Sequence, residues 1–433
     1  MPATDASLTT TSAHAPEELS SGTTHSSDSG GWEIVDVSVP EAAKEHLVEG
    51  ESKTPAEKEP KQGAEEPSTK QEKEAWTECQ APNGQTDAKG EHGECAKELD
   101  LCFVCDCTGS MGQYIRAAQE NIRSIVTKIS ALSICVRFAL ISYRDHPQAK
   151  HSGYVTRRFD FTTSVEQMQE YVASMSAEGG GDGPEAVAAA LHEALHMPWR
   201  PNATKVSVLI ADAPPHGLEA SGDVFPNGDP DGRDPLEILR EMARNSITVY
   251  AVGCEPALGR YQFARDFMCT CAEITGGQAV ALASASLLAD AIVNGSAEEV
   301  ALTKLTRHVE QEMRRAQQEA RDTRGVEMSF EEAVTATTQT LRARGMMSEQ
   351  METDGVMESQ SRGKWGSSQE KKSLREVKAQ LLSERSRRST AEPASAPAVM
   401  TKNELRSDLI KADQVTRTAE RLQYQDKLSF SSV

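Results

Sequence analysis

The sequence predicts an α/β fold with a doubly wound, mostly parallel sheet of six strands. Between residues 98 and 301, short apolar runs of strand length alternate with longer segments in which apolar residues recur every three or four positions. The first run, residues 101–105, is apolar throughout, as expected of a strand buried on both faces. Strands that alternate with helices favour a parallel sheet covered by helices on both sides.

The elements are predicted in order from these patterns. After the first strand, Ile122, Ile125 and Ile129 share one helical face. Val155, Arg157 and Phe159 alternate in a more polar segment, which is typical of a strand covered on one side. The predicted strands are 101–105, 134–143, 154–161, 205–211, 248–253 and 278–282, and the predicted helices are 113–131, 164–175, 184–195, 237–244, 261–274 and 284–301.

The flanks differ from this central region, for which we predict bounds of 98–301. Residues 1–97 contain 20 Asp and Glu, 8 Lys and no Arg, and they are poor in apolar residues, so we expect a disordered acidic tail. Apolar residues at helical spacing continue beyond 301, which predicts a helical extension over 302–345. We expect residues 346–433 to be mostly disordered, with a possible helix at 403–428.

Composition excludes several classes of function. The formal net charge is −20 and no segment concentrates positive charge, which argues against nucleic-acid binding. The sequence has no apolar run of about 18 residues and no secretory pattern at its start, so we expect no membrane span and a cytoplasmic location. The nine cysteines lack zinc-site spacing and several lie in predicted strands, which favours buried thiols over disulfides.

Three oxygen-bearing side chains lie in the turn between the first strand and the helix that follows it. They are Asp106, Thr108 and Ser110. Ligands of open α/β sheets bind at such strand-to-helix turns. One carboxylate with two hydroxyls suits a hard cation such as Mg²⁺ or Mn²⁺.

The turn resembles the metal-ion-dependent adhesion site of von Willebrand A-type domains, which has the pattern Asp-x-Ser-x-Ser. Residues 106–110 match it with Thr in place of the first Ser. Residues 178–185, Glu-Gly-Gly-Gly-Asp-Gly-Pro-Glu, resemble the second metal loop of the family, and residues 206–217 resemble its third loop. The resemblance covers about residues 98–301 and implies that the polar strand lies antiparallel at the sheet edge.

The resemblance implies a complete metal site. In the family the three loops meet at one ion and leave one position open for an acidic group of a protein partner. Carried over to this sequence, the ligands are Asp106, Thr108, Ser110, Asp182 and Asp212. Asp182 stands where the family usually has Thr, so it adds a negative charge beside the ion.

The resemblance is to the sort of A-type domain that accompanies an alpha-kinase in some proteins. This sequence shows no Walker-type phosphate loop and no evident kinase core after residue 301, so we expect a metal-dependent interaction module or scaffold and no enzyme. The alternative is an esterase of the α/β-hydrolase type. Ser110, Asp212 and His216 occur in the required order for it, although Asp212 and His216 are only four residues apart.

Further residues are candidates for partner contacts near the predicted metal. Asp145 and His146 lie in the loop after the second strand, where a turn-capping Asp before Pro is the competing interpretation. His216 lies in the third loop. Asp229 and Asp231 belong to an acidic loop that imitates half of an EF-hand but lacks its final Glu, so we expect a solvated, partner-selecting loop with weak Ca²⁺ binding as the alternative.

One apolar island interrupts the acidic tail. Trp32 and Val35 have the spacing of a motif that binds ubiquitin-like autophagy proteins, and residues 34–37 have the form of a SUMO-interacting strand. Either would add a strand to the edge of a partner's sheet, so residues 32–37 predict a ubiquitin-like partner. A locally collapsed apolar cluster is the competing interpretation.

Overall fold

The computed structural model describes residues 98–131, 135–147, 153–218, 222–357, 364–365, 371–387 and 399–430. The predicted motif around Trp32 and Val35 lies outside them. A six-stranded sheet has the order β3-β2-β1-β4-β5-β6 and is parallel except for β3. The strands are β1 Glu98–Asp106, β2 Cys135–Tyr143, β3 Thr156–Thr162, β4 Thr204–Ala211, β5 Ile247–Cys254 and β6 Ala279–Leu282.

Helices cover both faces of this sheet, because successive side chains of each buried strand point to opposite sides. In β1, Leu101 and Phe103 join the core beneath one layer of helices, whereas Cys102 and Val104 join the core beneath the other. The first layer holds α1 Gly112–Ser130, α2 Val165–Ala173 and α6 Leu288–Arg324, and the second holds α3 Val187–Leu195, α4 Pro235–Arg244 and α5 Ala264–Thr275. The predicted doubly wound fold is confirmed, including the antiparallel edge strand β3.

One helix start differs from the prediction in a way that affects the site. The segment from Pro184 is not yet helical, because α3 begins at Val187. Glu185 instead forms an isolated β-bridge with Pro215, and its N–H donates to the carbonyl of Pro214 at 2.9 Å. This contact between two loops takes the place of the first helical turn and fixes the Glu185 side chain between them.

The C-terminal region is more ordered than the sequence predicts. After α6 come α7 Phe330–Ala343, β7 Met347–Thr353, α8 Leu374–Arg387, β8 Asn403–Leu409 and α9 Ala412–Tyr424. The helix predicted at 403–428 is therefore wrong over its first seven residues, which pair antiparallel with β7. Both strands are polar, and ion pairs such as Glu352 with Arg406 at 3.0 Å support a pairing that local hydrophobic periodicity does not reveal.

Segments of the C-terminal region also cover the edge of the main sheet at β6. The N–H of Ala281 donates to Gly355 at 2.8 Å, and the N–H of Met357 donates to Ala279 at 2.9 Å. Met400 forms a further bridge to Leu282. An exposed strand edge favours unwanted pairing with other chains, so these segments protect the sheet.

The described cysteines form no disulfide, and six of the seven are buried, in keeping with the predicted thiols. Among the described helices, none combines the length and the hydropathy that crossing a membrane requires. The bounds of 98, 301 and 345 that the sequence suggests for the domains remain predictions, and α6 passes through residue 301 without interruption.

Candidate metal centre

Three loops meet at the carboxyl ends of β1 and β4, as the topology of a parallel sheet requires. The turn after β1 is tied to the Gly-rich loop by two backbone hydrogen bonds, from Gly109 to Gly179 at 3.2 Å and from Glu178 to Cys107 at 3.1 Å. The Gly-rich loop is in turn tied to the loop after β4 through Glu185 and Pro214. Backbone contacts thus fix the positions from which the polar side chains project.

Asp106 is the centre of the first loop and is fully buried. Its Oδ1 accepts hydrogen bonds from the N–H of Thr108 at 2.8 Å and from the Thr108 hydroxyl at 2.7 Å. The Thr108 and Ser110 hydroxyls lie 3.4 Å apart, and Ser110 also donates to Asp212. The Asp106 Oδ2 is buried and receives no hydrogen bond from the residues that the structure describes.

Glu185 joins this group, which the sequence analysis did not predict. It is 4 % exposed, and its Oε2 likewise accepts no hydrogen bond from any described residue. Its only sequence signal was its place at the end of the Gly-rich loop, where a helix-capping role explained it equally well. In the structure, the β-bridge at Pro215 holds Glu185 where its carboxyl interacts with those of Asp106 and Asp212.

Burial and mutual repulsion destabilise the charged forms of these carboxyls. Burial first, and then the Asp212 charge, raises the pKa of Asp106 to about 8. Burial and the Asp106 charge raise the pKa of Glu185 to about 11. Burial also raises the pKa of Asp212, against the opposing hydrogen bond from Ser110. A bound cation would reverse this balance, since it would stabilise the ionised carboxylates.

These residues fit a hard divalent cation. The donor set consists of oxygens alone, as Mg²⁺ and Mn²⁺ prefer. It comprises the unpartnered buried oxygens of Asp106 and Glu185, the Asp212 carboxylate and the two hydroxyls. A cavity of about 190 Å³ is present here, and its lining includes Thr108, Ser110, Gly179, Gly180, Gly181, Glu185 and Tyr261. Of the residues in this donor set, Thr108, Ser110 and Glu185 line the cavity.

The structure places Asp182 in a second group beside the first. Its Oδ2 accepts a hydrogen bond from the N–H of Val224 at 2.6 Å, and its ligand atoms lie within 4.8 Å of those of Asp145 and His216. The predicted role of Asp182 as a ligand of the first site stays a prediction, and Glu185 holds the corresponding place next to Asp106.

His216 lies between two carboxylates. Its Nε2 is 2.7 Å from Asp145 Oδ1, and its Nδ1 is 2.8 Å from Asp223 Oδ1. Burial alone would lower its pKa, but the two hydrogen bonds raise the pKa of His216 to about 9. Both ring nitrogens are therefore engaged, which leaves none to activate Ser110. The geometry gives no support to the esterase alternative.

The other predicted partner residues are mostly buried. Asp145 and His146 are 0 % and 3 % exposed, and His146 Nε2 lies 3.2 Å from Asp229 Oδ2. Asp229 also pairs with Arg233 at 3.2 Å and is buried, whereas most other described residues of the acidic loop are exposed, as a solvated loop would have them. Local composition missed this burial because the partners come from distant loops. Asp231 is exposed and pairs with Arg233.

Comparison with known proteins agrees with this arrangement. Residues 100–225, which run from β1 past Asp212, match the family model for the von Willebrand factor A domain. The chain contains a von Willebrand A-type domain. Over 156 residues it is 35% identical to the alpha-protein kinase vwkA of Dictyostelium discoideum, covering 35% of this chain and 24% of that protein.

A second relative of the A-type domain is a putative ariadne-like RING finger protein of Acanthamoeba polyphaga mimivirus. It is 29% identical over 193 residues, covering 43% of this chain and 18% of the relative. The chain thus spans a quarter or less of the length of these two proteins.

Solved structures with similarity to the chain include a von Willebrand factor type A protein from Catenulispora acidiphila, with 17% identity, a TM-score of 0.34 and coverage of 48% of this chain and 43% of that one. The pilus adhesin SpaC of Lactobacillus rhamnosus GG has 16% identity, a TM-score of 0.37 and coverage of 49% and 31%.

Proposed function

We propose that the A-type domain is a protein-interaction module that binds its partners through a divalent metal ion, Mg²⁺ or Mn²⁺, and that the chain serves as a scaffold. The observation that supports this most directly is the fully buried Asp106, whose Oδ2 has no hydrogen-bond donor among the described residues. A buried carboxylate oxygen without a donor is costly unless a proton or a cation occupies its position.

Asp106, Thr108, Ser110 and Asp212 would hold the ion, with Glu185 as the further carboxylate of the site. When bound, the ion offers a Lewis-acidic position for an anionic ligand. The chain's own residues keep that position fixed: the Thr108 N–H and hydroxyl hold Oδ1 of Asp106, which leaves Oδ2 directed away from them. This preorganisation reduces the cost of ordering the site on binding.

The shape of the cavity supports a partner that contributes one acidic side chain. Five of its ten lining residues are glycines, which present no side chain to an approaching carboxylate, and Thr108 and Ser110 also line it. Repulsion from the site's own carboxyls opposes an acidic partner, because Asp106, Asp212 and Glu185 exceed the charge of a divalent ion when all three are ionised. Protonation of Glu185, whose neutral form is favoured by burial in the metal-free site, would remove one of these charges.

Binding of the full-length chain to an array of peptides, with and without single Asp or Glu residues, tests the proposal. We expect retention of acidic peptides in Mg²⁺, loss of retention in EDTA, and loss in Asp106→Ala. Asp290→Asn is the matched control, because Asp290 is an exposed acidic residue that pairs with Lys128 far from the loops. Equal retention with and without metal would contradict the proposal.

Two finer predictions from the sequence accompany it. A ubiquitin-like partner that binds residues 32–37 remains a proposal, and Trp32→Ala would abolish such binding while leaving metal-dependent peptide binding unchanged. A cytoplasmic location also remains a prediction, which imaging of the tagged full-length chain would test.

A further inference from the structure

We propose that Asp145, Asp182 and His216 form a second metal site, separate from the Asp106 site and suited to a transition-metal dication such as Zn²⁺. One carboxylate oxygen from each aspartate and one imidazole nitrogen lie within 4.8 Å of one another. Imidazole with carboxylates suits Zn²⁺ and related metals, whereas an all-oxygen set suits Mg²⁺. The inference therefore concerns different residues and a different metal from those of the proposed function.

The two aspartates each present a buried oxygen to the same space. Oδ1 of Asp145 accepts from the His146 N–H at 2.6 Å, and Oδ2 of Asp182 accepts from Val224. Their other oxygens, Asp145 Oδ2 and Asp182 Oδ1, are buried and accept no hydrogen bond from the described part of the chain. Asp145 is 0 % exposed, so water does not compensate its free oxygen from bulk solvent.

These two carboxyls also face each other as a directly interacting pair. Two carboxylate oxygens in contact repel unless a proton or a cation lies between them. Protonated His216 could donate to Asp145 Oδ1 and to Asp223. This would still leave the facing oxygens of Asp145 and Asp182 without a partner. A metal ion between the aspartates and His216 satisfies all of them.

The imidazole of His216 is held as metal-binding histidines usually are. Its Nδ1 donates to Asp223 Oδ1, and Asp223 is itself fixed by the N–H groups of Gly217 at 2.7 Å and Phe225 at 2.8 Å. A carboxylate that receives Nδ1–H sets the tautomer and directs Nε2 to the metal. The Phe225 ring packs edge-on against His216 at 4.9 Å and shields it from solvent.

Charge balance supports two cations in this region. Carboxyls of both groups influence one another, as the effect of Asp145 and Asp182 on Glu185 shows. A single divalent ion at Asp106 cannot balance them all when all are ionised. The carboxyl groups gathered by the loops are Asp106, Asp145, Asp182, Glu185, Asp212 and Asp223.

The test is Zn²⁺ binding by the full-length chain after removal of bound metal with a chelator, in excess Mg²⁺ so that the first site is occupied. Bound zinc is counted by elemental analysis, and Co²⁺ replaces it for visible absorption spectra that report the ligands. We expect one equivalent of Zn²⁺ in the wild type and in Asp106→Ala, and loss of that equivalent in His216→Gln and Asp182→Asn.

The reference chain, called wild type in this experiment, and all variants carry His192→Gln, because His192 and His196 stack at the end of α3 and can bind metal at the surface. His308→Gln, an exposed histidine of α6, is the matched control and should keep the bound zinc. Asp223→Asn tests the positioning role: we expect zinc affinity to fall about 10- to 100-fold with the Co²⁺ bands shifted and Mg²⁺ binding unchanged.

Equal zinc content in wild type, His216→Gln and Asp182→Asn would overturn the inference, as would a wild type that binds no zinc. Circular dichroism checks folding, and Asp182→Asn decides the matter if His216→Gln does not fold, because the partly exposed Asp182 can keep its hydrogen bond from Val224 as Asn. A wild type that binds zinc but does not bind Mg²⁺ would refute the proposed function and leave the second metal site standing.

Discussion

An aspartate is buried at each end of β1, and the two differ in whether the protein supplies a cationic partner. Asp100, at the amino end, is bound by two guanidinium groups: Arg137 donates to it at 2.6 and 2.9 Å, and Arg200 donates at 2.8 Å. Asp106, at the carboxyl end, accepts hydrogen bonds from Thr108 and, among the described residues, has no cationic side chain as a hydrogen-bond partner. Both side chains are 0 % exposed.

This difference separates a structural carboxylate from one available to a ligand. The Asp100 charge is balanced within the fold, so the residue stabilises the folded chain. The Asp106 charge is not balanced by the protein, and burial raises its pKa to about 8. Burial of a carboxyl without compensation is typical of functional sites, and the function that we propose for Asp106 is the binding of a cation.

The largest expected effect is on stability at Asp100. Asp100→Ala removes the shared partner of Arg137 and Arg200, so we expect the free energy of unfolding to fall by about 3 kcal/mol or more. Urea denaturation of the full-length chain measures it. Glu98→Ala is the control, since Glu98 makes a single, more exposed pair with Arg200 and should cost no more than about 1 kcal/mol. Similar losses of unfolding free energy in Asp100→Ala and Glu98→Ala would contradict the structural role of Asp100.

We expect Mg²⁺ to stabilise the folded chain through Asp106, at the carboxyl end of β1, and not through the amino end. At a Mg²⁺ concentration 100 times the dissociation constant, we expect the free energy of unfolding of the wild type to rise by about 2.7 kcal/mol. Asp106→Ala should show no such rise, because the ion loses its central ligand. Glu98→Ala should respond to Mg²⁺ as the wild type does. The same urea denaturation with and without Mg²⁺ provides the measurement, and a response in Asp106→Ala would show that Mg²⁺ binds elsewhere.

A pair of glycine substitutions sharpens the account of the metal loop. Gly180 and Gly232 have φ of +80° and +76°, so an alanine at either costs roughly 1–2 kcal/mol in backbone strain. A Cβ at Gly180 would also lie 3.0 Å from Glu185 Oε1, whereas at Gly232 it meets nothing within 4 Å. Calorimetry should show weaker Mg²⁺ binding in Gly180→Ala and unchanged binding in Gly232→Ala. Equal affinities would mean that Glu185 is not a ligand.

The smallest expected effect concerns hydrolysis. His216 is bound to Asp145 and Asp223, so Ser110 has no base to activate it. We expect hydrolysis of p-nitrophenyl acetate by the wild type to equal that of Ser110→Ala. A rate that depends on Ser110 would restore the esterase alternative.

The sequence predicts the sheet and most of the first loop because their causes are local. The apolar run at 101–105 gives β1, and the spacing of Asp106, Thr108 and Ser110 in one turn gives the group that the structure brings together. The contribution of Glu185 depends on a bridge to Pro215, some thirty residues away, and the burial of Asp145 and His216 depends on loops from three strands. Local sequence patterns do not predict contacts between residues so far apart in the chain.

The order of the C-terminal region likewise depends on contacts between distant segments. β7 and β8 are polar strands about fifty residues apart, and α9 is held by the buried pair of Glu298 with Arg417 at 3.0 Å. Composition alone favours disorder for such charged segments. Pairing between distant segments and burial of compensated charges produce the order that the structure shows.

The most direct test is calorimetric titration of the full-length chain with Mg²⁺, using the wild type, Asp106→Ala and Ser110→Ala, with Ser383→Ala as an exposed-serine control on α8. We expect binding in the wild type and in Ser383→Ala, none in Asp106→Ala and weakened binding in Ser110→Ala. Unchanged Mg²⁺ affinity in Asp106→Ala would contradict it, because the uncompensated carboxylate at the end of β1 would then have no part in holding the ion.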